Sequence, residues 1–223
     1  MNMELSLIEA RIIGCLIEKE ITTPDYYPLS LKSLTTACNQ KSNRDPVVEF
    51  SENDVLDGVD ALIERRLVSD ESKFSSATRK YQHRFCNTEF GDLKLTSQEL
   101  GILCVLLLRG PQTAGELRTR THRLCEFTDS KETESVLEHM AHHHAYGPLV
   151  AKLAREPGKR ECRYRHLFTN EHSAPLHNEQ LNQQRGSNDN AEDLALLKAE
   201  INELREQVAL LTETVAELDA KLR

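Results

Sequence analysis

A Tyr-x-His-x-Phe pattern closes two blocks of this chain, at Tyr81, His83 and Phe85 and, 83 residues later, at Tyr164, His166 and Phe168. Each block opens on a capped amphipathic helix. Ser6-x-x-Glu9 and Thr96-x-x-Glu99 are capping boxes, in which hydroxyl and carboxylate satisfy free amides at the helix start. Behind them Ile12, Ile13, Leu16, Ile17 and Ile102, Leu103, Leu106, Leu107 recur at helical spacing. The chain is therefore read as two copies of one small unit.

The content of each copy predicts which unit. In the first, a helix from about Ser6 to Glu20 precedes a loop with Pro24 and Pro28. A second helix, capped by Ser30, runs to about Cys38. A third starts near Ser51 with Val55, Leu56, Val59, Leu62 and Ile63 on one face. Leu67-Val68 and Arg79 to Phe85 then read as a strand and its return. The second copy repeats the order: Thr96 to Arg109, a stop at Gly110-Pro111, a helix capped by Thr113 with Glu116, and a third from about Ser130. A hairpin from Leu149 to Phe168 turns at Pro157-Gly158, a pair suited to a type II turn. Three helices followed by a hairpin is the helix-turn-helix plan with a wing. The expected fold is thus mainly α with small β-hairpins (α+β). It comprises two tandem winged-helix domains (1–88 and 89–170), a polar flexible linker (171–190) and a C-terminal coiled-coil helix (191–223).

Period-2 alternation puts Cys162, Tyr164, His166 and Phe168 on the core side of the last strand and Arg163 and Arg165 on the other. The repeated histidine then reads as a hydrogen-bonded structural residue, with a functional role as the alternative. In the tail, Leu194, Leu197, Ile201, Leu204, Val208, Leu211, Val215, Leu218 and Leu222 alternate at intervals of three and four. β-branched residues at a with Leu at d predict a parallel two-stranded coiled coil and a homodimer. A helix docking back onto the domains is the alternative.

The formal charge is −8 over 223 residues, but its distribution decides more. Residues 1–88 carry net −3, residues 89–170 net +1 and residues 171–223 net −6. A winged helix usually reads DNA through its third helix while the wing touches phosphates. Lys152, Arg155, Lys159, Arg160, Arg163 and Arg165 crowd the second hairpin, and Arg118, Arg120 and Arg123 line and follow its second helix. These nine are the candidate nucleic-acid-binding residues, a solvated basic surface being the alternative. The third helices argue against base readout. The first exposes Glu52, Asp54, Asp57, Asp60 and Glu64, and the second begins with Asp129, Glu132 and Glu134, carboxylates that repel phosphate.

No phosphate loop, nucleophile elbow or Cys-His nucleophile arrangement occurs, so no enzyme and no cofactor are expected. His139 and His143 stand at i, i+4, a spacing compatible with a divalent metal, but no further ligand is obviously placed, and no metal is expected. The six cysteines include no CxxC pair and read as structural thiols. With no run of 18 apolar residues and no signal-peptide pattern near its first residue, the chain is expected to be cytoplasmic, with no membrane association.

Several runs resemble a family of bacterial proteins, the YceH-like family: TPDYYPLSL (Thr23 to Leu31), NQKSNRDPV (Asn39 to Val47), LRGPQTAGELRTR (Leu108 to Arg120) and REPGKRECRYRHLF (Arg155 to Phe168). The likeness covers about residues 4–168 and implies tandem winged-helix domains, with no established biochemical role. It draws attention to a polar loop of Asn39, Gln40, Lys41, Asn43 and Arg44, read either as an elaborate turn or as a phosphate or partner clamp. The expected function is DNA binding, in a transcriptional regulator that contacts phosphates mainly through the second wing and second helix. The alternative is a protein-protein interaction adaptor without DNA readout, like the winged-helix accessory subunits of chromosome-condensing complexes.

Overall fold

The computed structural model describes residues 4–71, 79–155, 157–159 and 161–169. The linker and coiled-coil residues expected in the tail lie outside them. The first repeat runs α1 (Leu7–Thr22), a 3₁₀ turn (Pro24–Tyr26), β1 (Leu29–Ser30), α2 (Leu31–Cys38), α3 (Glu52–Glu64), β2 (Val68–Asp70) and β3 (Lys80–His83). The second runs α4 (Ser97–Arg109), β4 (Gln112–Thr113), α5 (Ala114–Arg120), α6 (Ser130–His142), β5 (Val150–Lys152) and β6 (Arg163–His166). This is a mixed α/β fold with six α-helices among the described residues.

Local chemistry sets the helix starts. Reciprocal capping boxes hold Ser6 with Glu9, Ser51 with Asp54, Thr96 with Glu99 and Thr113 with Glu116. Ser30 and Asp129 cap α2 and α6 through their side chains alone. Each repeat builds a three-stranded antiparallel sheet, ordered β1-β3-β2 in the first and β4-β6-β5 in the second. The hairpins match expectation. The short outer strands β1 and β4 were missed because each is two residues long and doubles as the approach to a helix cap. Gly158 in the second hairpin takes φ 78°, the left-handed backbone that the expected turn requires.

The two repeats share one core within the compact unit of residues 1–176. The helices α1 and α4 are buried through their middles, Glu9 to Glu18 in one and most of Glu99 to Leu108 in the other, and pack on each other. Gly14 makes that approach possible: a Cβ there would stand 2.8 Å from Leu108 Cδ2 and 3.2 Å from Leu107 Cβ. Cys104 Sγ donates to Gly14 O across the same contact at 3.5 Å. The closing phenylalanines also meet, Phe85 edge-on to Phe168 with centroids 5.0 Å apart. Leu5 N–H donates to Phe168 O at 2.6 Å, so the start of α1 is stitched to the end of the second hairpin.

Gly14→Val should therefore lower stability by about 1–3 kcal/mol, the usual cost of overfilling a packed core. Urea denaturation measures it, and an unchanged midpoint would mean that the helices can part without loss.

Candidate functional site

Among the described residues, the candidate basic side chains divide between internal partners and solvent. On α5, Arg118 donates through Nη2 to Thr128 O at 3.2 Å, and Arg120 lies 3.6 Å from Glu116. Arg123 Nη2 reaches across the repeats to Glu18 Oε1 at 3.2 Å. On β6, Arg163 Nη1 donates to Glu116 Oε2 at 2.8 Å and to Pro111 O at 2.9 Å, while Arg165 is half-buried. Lys152 is exposed, with its ammonium 5.7 Å from the centroid of the Tyr164 ring. Arg155 and Lys159 are exposed on the hairpin, and Arg160 lies outside the described residues.

Two carboxylates organise this arrangement, and sequence reasoning missed both roles. Glu116 completes the α5 capping box and also receives Arg163 and Arg120. Burial raises its pKa, but the Thr113 amide and the two guanidinia outweigh that and hold it below its ordinary value. Glu18 is 3% exposed, with Oε2 2.6 Å from Nη2 of Arg44, itself 4% exposed. Burial raises the Glu18 pKa too, and Arg44, Lys19 and Arg123 together bring it below the usual 4.5. The repeat carried a signal for Glu18. It stands twelve residues after its cap, where the second copy has Leu108 at the matching place, so an acid occupies a core position.

The polar loop spends its hydrogen bonds within the fold. Asn39 brackets Phe50, with Nδ2 donating to Phe50 O at 2.8 Å and Oδ1 accepting from Phe50 N at 2.9 Å. Arg44 is buried beneath, donating to Ala37 O, Asn43 O, Gln40 Oε1 and Glu18. Asn43 Oδ1 accepts from Arg109 at 3.2 Å. Of the five loop residues named as a candidate clamp, only Lys41 is exposed. At this position Arg44 is 4% exposed, with Glu18 and main-chain carbonyls as the partners of its guanidinium.

The histidines divide. His83, on β3, is buried with Nε2 2.7 Å from Glu20, and its amide donates to the Tyr27 hydroxyl at 2.8 Å. Among the described residues, no carboxylate meets His166; burial, then Arg165, push its pKa down to about 4, so it is neutral at physiological pH. His139 Nδ1 stands 3.0 Å from Glu99, and His144 Nε2 stands 3.0 Å from Lys94 O. Among the described residues, no three His, Cys, Asp or Glu side chains gather to hold a metal ion. The outer face of α3 exposes Glu52, Asp54, Asp57, Asp60 and Glu64, and that of α6 exposes Lys131, Glu134, Ser135 and Glu138. A shallow groove of about 560 Å³ runs between α6 and the hairpin, with Lys131, Glu134, Glu138, Lys152 and Glu161 on its walls.

Fold and site together define a duplicated helix-and-hairpin protein with acidic outer helices and internally neutralised arginines. The chain belongs to the family described as "Protein of unknown function, DUF480", which matches residues 5–159. It is 60% identical over 218 residues to a UPF0502 protein of Vibrio parahaemolyticus, covering 98% of this chain and 99% of that protein. A UPF0502 protein of Vibrio cholerae serotype O1 is 71% identical over 171 residues, 77% of this chain and 79% of its own length. A bacterial family without an assigned role is what the resemblance had implied. Among the described residues, no helix is long and apolar enough to cross a membrane.

Because its folded pKa lies below the unfolded one, Glu18 contributes stability that is present above about pH 4.5 and is lost as pH falls through the depressed value. Glu18→Leu should cost about 3–5 kcal/mol by stranding Arg44 and flatten the acid limb of the stability profile. The double variant Glu18→Leu, Arg44→Met should recover part of the loss. Additive costs in that double-mutant cycle would contradict a coupled pair.

Proposed function

We propose that this chain is a protein-binding adaptor built from two winged-helix units, and that the acidic outer faces of α3 and α6 meet its partner. The order of three helices and a two-stranded wing in each repeat supports the winged-helix reading. The observation that carries the function is the use of charge. Arg120, Arg123 and Arg163 neutralise Glu116 and Glu18 within the fold, while both third helices turn carboxylates outward. A duplex set against such helices would meet like charge where base contacts should form. A basic protein surface would meet complementary charge. Dimerisation through the heptads of residues 191–223 belongs to the same proposal and would present each acidic face twice. The reading requires no catalytic group.

DNA binding stands second, favoured by the exposed Lys152, Arg155 and Lys159 along the hairpin. Such a surface would hold phosphates without reading sequence.

Fluorescence anisotropy with labelled random duplex DNA separates the two. At about 100 mM salt, the adaptor reading expects no binding tighter than the non-specific range of about 10⁻⁵ M. Charge reversal at Asp57→Lys and Asp60→Lys should abolish in-cell cross-linking to a protein partner and shift stability by no more than about 0.5 kcal/mol. Tight, steeply salt-dependent DNA binding that disappears in the triple variant Lys152→Ala, Arg155→Ala, Lys159→Ala would replace this reading with the second. Light scattering of a chain lacking residues 187–223 tests the dimer: it should run as a monomer, and an unchanged oligomer would refute the tail's role.

A further inference from the structure

The connection between the two repeats is a closed loop, not a plain linker. Residues 86–95 run from the first hairpin to the cap of α4, and Cys86, Leu93 and Leu95 are buried as its feet. Asn87 holds the neck between them. Its amide donates to Leu93 O at 2.9 Å, its Nδ2 donates to Leu95 O at 3.0 Å, and its Oδ1 accepts from Leu95 N at 2.7 Å. Asn87 does so at φ 57°, a left-handed backbone in which asparagine is enriched. Further out, Gly91 N–H donates to Thr88 O at 3.2 Å and closes a turn, and Lys94 Nζ donates to the same carbonyl. A Cβ on Gly91 would collide with Thr88 Oγ1, so this turn needs glycine.

What this loop presents at its tip is Phe90, 89% exposed. A lone exposed apolar side chain is ordinary by itself. Here the backbone beneath it is bonded at neck and turn, so a partner that covers the ring meets less ordering cost than it would on an open chain. The neighbours of the ring state the chemistry of such a partner. Glu89 and Asp92 flank it and are exposed, while Lys94 turns its ammonium to Thr88 O. The loop also adjoins α6. His144, two residues past the end of that helix, donates from Nε2 to Lys94 O at 3.0 Å.

We propose that Phe90 is the anchor that holds the adaptor's partner: its ring enters an apolar pocket on a protein surface whose rim carries lysine or arginine, matched to Glu89 and Asp92. This rests on the adaptor reading and adds the apolar half of the contact, because the outer faces of α3 and α6 offer charged and polar side chains. Charge on those faces steers and selects. A single aromatic side chain seated in a well-packed pocket supplies a large share of the affinity, and covering Phe90 contributes about 10- to 100-fold. The two carboxylates disfavour the other surface that could take an exposed phenylalanine, an anionic lipid leaflet. A cationic rim around the pocket turns the same carboxylates into favourable partners.

The test places photoreactive benzoylphenylalanine in the full chain, in its native host, at position 90 and separately at positions 57 and 134 on the outer faces of α3 and α6. All should capture the same protein, and peptide mapping of the adduct from position 90 should end in an apolar segment bordered by lysine or arginine. With that protein purified, Phe90→Ala should weaken binding about 10- to 100-fold in fluorescence anisotropy, and Phe90→Tyr should retain most of it. The urea midpoint of Phe90→Ala should match that of the parent chain, since an exposed side chain contributes little to folding. A protein captured from position 57 or 134 but not from 90, or an unchanged affinity for Phe90→Ala, overturns the anchor and leaves the adaptor reading standing. Capture from none of the three positions overturns both. Capture from position 90 alone moves the partner off the helix faces, and the affinity of Phe90→Ala for it then decides the anchor.

Discussion

A carboxylate withdrawn from water holds the molecule's polar interior together. Glu18 lies on the buried helix α1 yet keeps its charge, because Arg44 meets it at 2.6 Å and Arg123 at 3.2 Å. The first contact fixes the loop between α2 and α3. The second joins that loop's foundation to the opposite repeat. Pairs like this contribute little net energy compared with apolar packing of the same volume, but either charge alone is costly. Through them the loop between α2 and α3 and the segment that follows α5 are both tied to one side chain of α1.

That arrangement bears on function because it consumes the charges that would otherwise advertise a nucleic-acid surface. Arg163 and Arg120 converge on Glu116, the carboxylate that also caps α5. Their guanidinia brace the second repeat where the strand β4 leads into its helix. The charge left outward on the third helices is mostly carboxylate, with Lys131 the exception on α6. On the proposed winged-helix reading, the outer faces of the third helices are unlike a phosphate-binding surface, which is why the proposal turns to a protein partner.

Much of the architecture was readable because it rests on local rules. The hydroxyl at Ser6, Ser30, Ser51, Thr96 and Thr113 marks each helix start where the structure has it, and the apolar spacing behind each marks the buried side. The core-facing side of the last strand was also readable, since alternation alone places Tyr164 and Phe168 inward. The fate of the arginines was not. A guanidinium in a sequence looks like surface, and the acid that captures Arg123 lies 105 residues away. Likewise nothing in the polar run from Asn39 to Arg44 shows that Arg44 turns inward to Glu18 and to main-chain carbonyls.

The contacts between the repeats carry one more consequence. Gly14 and Cys104 each stand eight residues after their helix caps, and they touch; Phe85 and Phe168 each close a Tyr-x-His-x-Phe pattern, and they touch as well. When equal positions of two copies meet each other, a local two-fold axis passes between them, as in an isologous dimer. The two repeats thus meet as the halves of a symmetric pair do, first helix against first helix and closing phenylalanine against closing phenylalanine. A pair held within one chain need not be identical in its halves: Glu18 matches Leu108 in the other copy, and Gly14 matches Cys104.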